Sequence, residues 1–285
     1  MERVLEPYSD DIIIHAYGFD VNSFVKTINP IQEFIVNAWD ADADKVMINI
    51  TSDRIVIEDS GTGIDNFKQF WTIGSQYKSS VKFTPKFRRK PIGWRGLGKL
   101  SFSKLGAKIF VETRTNQKAE SSTADLVHMK FEVKSLINHY QSLSHIGTRI
   151  TITELNNEIS ESEIIHFIKE NLYGLILPIA EGTKHLKIFV NGKKVKPEIP
   201  TGTVEKVRYQ FGSIQYLLFP SSIAKIDLLY RGIKICEMND HNLSAIGYVN
   251  VDWLNLIDDG CKLAKTNESK LFLSQIKKLI KKKMK

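Results

Sequence analysis

The chain has 285 residues, 42% of them hydrophobic and 25% charged, with a formal net charge of +8. That length buries one large core or two modest ones, which excludes a peptide or a disordered tail, and usual domain sizes favour two. No run approaches the roughly 18 apolar residues of a membrane helix, and Met1-Glu2-Arg3 lacks a signal-peptide layout, so a cytoplasmic protein without a membrane partner is expected.

In chain order, Asn29 reads as an N-cap, with Pro30 at the first helical position and Gln32 three residues past the cap, which predicts a helix to about Ala41. Alternation in Val46, Ile48 and Ile50, then in Ile55 and Ile57, predicts two strands, the second ending at Asp59 in a glycine turn. Residues 67–91 are irregular and basic, the pattern of a mobile segment rather than a core element. A short helix is expected over 99–105, stopped by Gly106, and strands over 108–114, 126–133 and 148–153. Near Asn156 the character changes. A capped helix over 160–173 closed by Gly174, a hairpin over 186–195 around Asn191-Gly192, strands over 207–211, 214–219 and 226–230, and a last helix from about Asn267 follow. Two domains are therefore expected, 1–156 and 157–285. Cys236 and Cys261 form no CxxC pair and read as free thiols. Six lysines share the nine positions 277–285; such a run is usually a solvated helix end, with DNA contact as the alternative.

Four constellations carry chemistry. Glu33, Asn37 and Asp40, with Ala41, fall on one helical face; an Asn amide oxygen suits Mg²⁺, and a Glu one turn earlier could take a proton from water. The same stripe also reads as an ordinary solvated face. In Glu58-Asp59-Ser60-Gly61-Thr62-Gly63-Ile64 a carboxylate at a strand end can accept from an exocyclic amine, and glycines admit a flat ring; a plain Asp-capped turn fits equally. Gly93-Trp94-Arg95-Gly96-Leu97-Gly98-Lys99 can turn backbone N–H groups toward phosphate oxygens. It also fits most of a Walker A loop, but Leu100 offers no hydroxyl to Mg²⁺ and no buried strand precedes it. Thr148 begins a strand beside Asp59, which alone signifies little.

In this order and at these spacings, "EFIVNAWDADA", "EDSGTGI", "IGWRGLGKLSFSKLG" and "GTRITITE" resemble the N, G1, G2 and G3 boxes of the GHKL superfamily of ATPases. "FWTIGSQYKSS" and "RRKPIGWRGLGKLSFSKLG" resemble its MORC-like and Hsp90-like members in particular. The resemblance implies an α+β Bergerat ATP-binding fold, a mixed and mostly antiparallel sheet with helices on one face, then a smaller α/β transducer-like domain akin to ribosomal S5 domain 2. It implies Mg-ATP as ligand, with Glu33 polarising the lytic water, Asn37 ligating Mg²⁺, and Asp59 holding the adenine amine with Thr148 assisting. Gly61, Gly63, Ala41 and Ile64 would shape the base pocket and Asp40 would help hold it. Gly93, Gly96 and Gly98, with Trp94, Arg95 and Leu97 between them, would form the lid hinge and phosphate loop, with Lys99 and, more weakly, Lys78 near the phosphates. Sensor histidine kinases commonly carry Asn where Glu33 stands, so hydrolysis rather than phosphotransfer is implied. Beyond 156 the likeness thins to "LLYRGIKI"; Lys262 or Lys265 would be the basic group reaching the γ-phosphate, against a plain reading as surface lysines. Implied partners are ATP, a second copy of the chain in an ATP-dependent homodimer, and DNA or a separate effector protein; a regulatory module governed by ATP occupancy alone is the alternative.

Overall fold

The computed structural model describes residues 2–5, 29–71, 81–93, 98–125, 130–135, 143–198, 202, 205–209, 212–238, 240, 242–252 and 267–283. The chain divides into two compact units, Met1–His166 with Gly182–Val195, and Phe167–Glu181 with Lys196–Lys285.

The first unit contains β1 (Glu2–Leu5), α1 (Pro30–Asp40), β2 (Lys45–Ile50), β3 (Arg54–Asp59), α2 (Phe67–Trp71), a 3₁₀ helix (Gly98–Lys104), β4 (Gly106–Arg114), β5 (Ala119–Asp125), β6 (Lys130–Ser135), β7 (Gly147–Leu155), β8 (Lys187–Val190) and β9 (Lys193–Lys194). Its sheet runs β1-β6-β5-β4-β7-β3-β2-β8-β9, antiparallel except where β8 lies parallel to β2. That parallel pair differs from the expected split at 156: the hairpin over 187–194 joins the first sheet, and the first unit takes back Gly182–Val195. Asn191 and Gly192 both take positive φ, 44° and 77°, as the tight turn requires.

Alternation sets the register. Val46, Ile48, Ile55, Ile57, Ile109, Val111, Ile150 and Ile152 are all buried, while Asn49 and Phe110 on intervening positions are exposed. A slip by one residue would turn the apolar set to solvent. Two expectations need correction. The strand expected over 126–133 is instead two, β5 and β6, with 126–129 outside the described residues. The polar sequence of β5 hid it, because its inward Ser122 hydroxyl is paid for by Trp71, whose Nε1 donates to it at 2.8 Å. Residues 98–104 form a 3₁₀ rather than an α-helix, and Gly106 opens β4 instead of capping it. A Cβ at Gly106 would stand 2.5 Å from the Thr153 carbonyl oxygen, so close strand approach explains this glycine.

The helix α3 (Glu161–Asn171) runs across the division between the units. The second unit contains α4 (Tyr173–Ile176), β10 (Glu205–Tyr209), β11 (Gly212–Pro220), β12 (Lys225–Tyr230), β13 (Ile233–Met238), β14 (Ala245–Val251) and α5 (Asn267–Lys283). Its sheet runs β10-β11-β14-β12-β13 with β12 and β14 parallel. Ile276 and Ile280 of α5 are buried with Ile214, Ile226, Leu228, Val249 and Val251, while Lys281, Lys282 and Lys283 are exposed. Gly174 lies inside α4 and closes no helix; a Cβ there would come within 2.5 Å of the Gly232 backbone. Among the described residues no helix is long and apolar enough to cross a membrane. Cys236 is a free, half-buried thiol, and Cys261 lies outside the described residues.

Candidate nucleotide site

The site is built from α1 outward. Asn29 caps the helix, its Oδ1 accepting from the N–H groups of Ile31 at 2.9 Å and Gln32 at 3.4 Å. Ile31, Phe34, Ile35, Val36, Ala38 and Trp39 are buried all round the helix. The partly exposed residues from Pro30 to Ala41 are Glu33, Asn37, Asp40 and Ala41, one stripe at spacings of four, three and one. A helix merely solvated along one side would expose a wider arc than this. The polar stripe is thus narrow, on a helix buried elsewhere.

The turn after β3 closes on the end of that stripe. Asp59 Oδ1 accepts from the Gly61 N–H at 2.7 Å, and the Thr62 N–H donates to the Ala41 carbonyl at 2.9 Å. A Cβ at Gly61 would meet the Ala41 carbonyl oxygen at 2.7 Å and Asp59 Oδ1 at 2.8 Å, so only glycine lets the turn lie against the helix end. Thr148 stands opposite Asp59 across the β3–β7 ladder, which puts both side chains on one face. Gly63 adopts φ +80° with the Arg114 carbonyl oxygen 2.5 Å from where its Cβ would be. The Ile64 N–H donates to Thr113 Oγ1 at 2.7 Å, and that hydroxyl donates to the Gly147 carbonyl at 3.1 Å. These glycines and Ile64 therefore lock the turn onto α1 and β4, which goes beyond the expected role of admitting a flat ring.

Burial pushes the Asp59 carboxyl up to about 7, opposed by hydrogen bonds from the backbone of Gly61 and Thr148 and assisted by the nearby Glu58 charge. The residue as a whole is half-buried. When ionised, such an enclosed carboxylate can offer a strong acceptor to an amine. We expect Gly61→Ala, which drives a methyl into Ala41 and Asp59, to destabilise the first unit by about 1–3 kcal/mol and to weaken adenine nucleotide binding; unchanged melting and unchanged calorimetric affinity would count against the packing described.

The glycine-rich segment is fastened at both ends to α1. Asp40 Oδ1 accepts from the Ile92 N–H at 2.8 Å and Oδ2 from the Gly93 N–H at 3.1 Å. Beyond the loop, Phe102 stacks on Phe34 of α1 with ring centroids 4.1 Å apart. Lys99 is partly exposed, its Nζ 5.5 Å from the Phe70 ring centroid. Asp40 thus holds the root of the loop through backbone N–H groups. Trp94, Arg95, Gly96 and Leu97 lie outside the described residues, as do Lys78, Lys262 and Lys265. Gly98 is the first residue of the 3₁₀ helix, too short to bring a helix dipole, so positive charge here rests on side chains such as Lys99.

Two residues escaped the sequence reading. Asp42, fully buried at φ 57°, accepts from Thr84 Oγ1 at 2.6 Å and from the N–H groups of Lys86 at 2.8 Å and Phe87 at 3.1 Å. Arg89, also fully buried, donates to the carbonyls of Ala43 at 2.7 Å, Trp39 at 3.2 Å and Lys184 at 2.9 Å, with its guanidinium 4.2 Å from the Trp39 ring. Burial lowers its pKa to about 10, with Asp42, Asp44 and Asp40 opposing, so it stays charged at neutral pH. The segment expected to be mobile over 67–91 is therefore anchored: Phe67 and Trp71 are buried at one end, and Thr84, Phe87 and Arg89 at the other. No local signal separates Arg89 from its exposed neighbour Arg88.

The donor set suits Mg-ATP. Asn37 and Glu33 share one stripe of α1, the Asp59 turn packs on the end of that helix at Ala41, and Gly93 is tied to the same helix by Asp40. Residues 27–161 match the family model described as "Histidine kinase-, DNA gyrase B-, and HSP90-like ATPase". A protein of Herpetosiphon aurantiacus named as a type II restriction enzyme, HgiDII, is 33% identical over 99 residues, which cover 30% of this chain and 16% of that protein. The chain thus spans a small part of that relative. The family match supports the GHKL superfamily for residues 27–161 and, with it, ATP binding by this region.

Proposed function

We propose that the first unit binds Mg-ATP and hydrolyses it slowly. Glu33 orients and deprotonates the attacking water, Asn37 supplies an amide oxygen to the metal, Asp59 accepts from the adenine amine beside Thr148, and the backbone from Gly93 to Lys99 receives the phosphates. Magnesium, when bound, neutralises phosphate charge and holds the phosphate oxygens in place. The observation that carries this reading is the convergence on α1: Gly61 against Ala41, and the Gly93 N–H on Asp40. Calorimetry with Mg-ATP tests it, together with Glu33→Ala, which should bind ATP normally while losing at least about 100-fold in turnover. Unchanged turnover would remove Glu33 from the mechanism.

Nucleotide-driven closure over the phosphates then has fixed ends at Trp71 and Thr84, and it favours association of two copies in the manner of MORC-like and Hsp90-like ATPases. In this reading the second unit acts as the transducer, with Lys262 or Lys265 as the candidates for a basic group toward the γ-phosphate. DNA is the target we favour, because the relative matched within this chain is named as a restriction enzyme. A regulatory role in which occupancy alone controls a partner remains the second reading; a hydrolysis-dead variant that retains the biological output would establish it.

A further inference from the structure

From residue 66 to residue 111 the sequence holds eleven Lys and Arg and no Asp or Glu, although the whole chain is only +8. The rest of the chain is therefore net acidic, and the basic excess is concentrated in one stretch of the first unit. A triphosphate with its metal needs few of these charges. Moreover, Lys82, Lys86 and Arg88 are exposed and, among the described residues, make no ion pair with a carboxylate. The fold gathers them on two phenyl rings. Arg88 and Lys90 both stand over Phe83, at 4.8 and 5.9 Å from its centroid, and Lys86 and Lys184 both stand over Phe87, at 4.8 and 5.3 Å. Beyond Lys184, Lys187 and Lys45 are both exposed and sit side by side across the β8–β2 ladder. Within this group Lys184 is bridged by Asp44 at 2.8 Å.

Like charges gathered this closely repel one another, and a phosphate polymer relieves that repulsion while releasing its own counterions. We propose that this surface of the first unit, from Lys82 to Lys90 with Lys184, Lys187 and Lys45, binds the phosphate backbone of duplex DNA. The inference rests on DNA as the target and relocates the contact from the C-terminal lysines to the ATP-binding unit. It also couples the contact to the nucleotide site. The chain from Lys90 passes directly to Ile92 and Gly93, whose N–H groups are held by Asp40 on the Glu33–Asn37 stripe.

The test uses the full chain and a fluorescent 20-base-pair duplex, followed by anisotropy between 50 and 300 mM salt, with Mg-ATP affinity measured by calorimetry on the same preparations. The exposed triple substitution Lys82→Gln, Lys86→Gln and Arg88→Gln should leave ATP affinity and melting temperature unchanged. It should lower the steepness of log affinity against log salt by about 2 to 3, roughly 0.9 per lost phosphate contact. A slope unaltered by the triple substitution overturns the proposal, as does a slope abolished instead by Lys278→Gln, Lys281→Gln and Lys282→Gln in the last helix. Normal ATP binding with no duplex binding overturns the DNA surface alone, whereas absent ATP binding with intact duplex binding overturns the nucleotide reading alone.

Discussion

Arg89→Met is expected to destabilise the first unit by about 3–5 kcal/mol, seen as a melting transition lower by roughly 6–15 °C. Methionine fills a similar length of apolar space but leaves the carbonyls of Trp39, Ala43 and Lys184 without their donor, and it removes the cation that faces Asp42, Asp44 and Asp40. Its reach extends to the nucleotide site. Trp39 Nε1 donates to the Lys90 carbonyl at 3.1 Å, and the next residues along deliver Ile92 and Gly93 to Asp40. Loosening this staple should therefore weaken Mg-ATP binding even at temperatures where the variant remains folded. Arg88→Met, one residue away and exposed, serves as the control and should melt within about 0.5 kcal/mol of the parent. Equal melting of the two variants would show that Arg89 carries no structural charge.

That contrast also locates the limit of sequence reasoning. The capped helix at Asn29, the paired strands ending at Asp59 and the Asn191-Gly192 turn were legible because each rests on a local rule: a side-chain cap, a two-residue alternation, two residues of positive φ. The stripe of Glu33, Asn37 and Asp40 was legible for the same reason, and its members are the partly exposed residues of a helix buried elsewhere. What stayed hidden depends on partners distant in sequence. Arg89 reads like Arg88 until Trp39 and Lys184 are brought to it; Asp42 carries no local signal until Thr84 arrives; the polar strand β5 needs Trp71 to accept burial; and the hairpin at 187–194 changes unit because Lys45–Ile48 offers it an edge. The glycines at 61 and 63 stand out in sequence as a turn, and the reason the structure supplies for them is the backbone they approach.

Asp59 is expected to give opposite pH trends in binding and in stability. Its carboxyl in the folded chain titrates at about 7 because of burial, against 3.8 when solvated. Acceptance from the adenine amine needs the ionised form, so ADP in excess magnesium should bind about tenfold more weakly at pH 6 than at pH 8, one proton being expelled from Asp59 on binding. For the nucleotide-free protein the sign reverses. Between the two titration points the folded chain holds a proton that the unfolded chain has released, so stability contributed by this group falls as pH rises from about 4 to about 7, by up to roughly 1.4 kcal/mol per unit. Asp44 does not obscure this window, since Lys184 and Ser60 hold its carboxyl down at about 2 and its stabilisation is lost below the window, as pH falls from about 4 to about 2. Asp59→Asn separates the two effects: it removes the charged acceptor, with an expected loss of at least about 100-fold in nucleotide affinity, and it flattens the pH dependence of denaturant unfolding between 4 and 7. An affinity that stays level from pH 6 to 8, or a variant that binds like the parent, would place the base elsewhere than on this carboxylate.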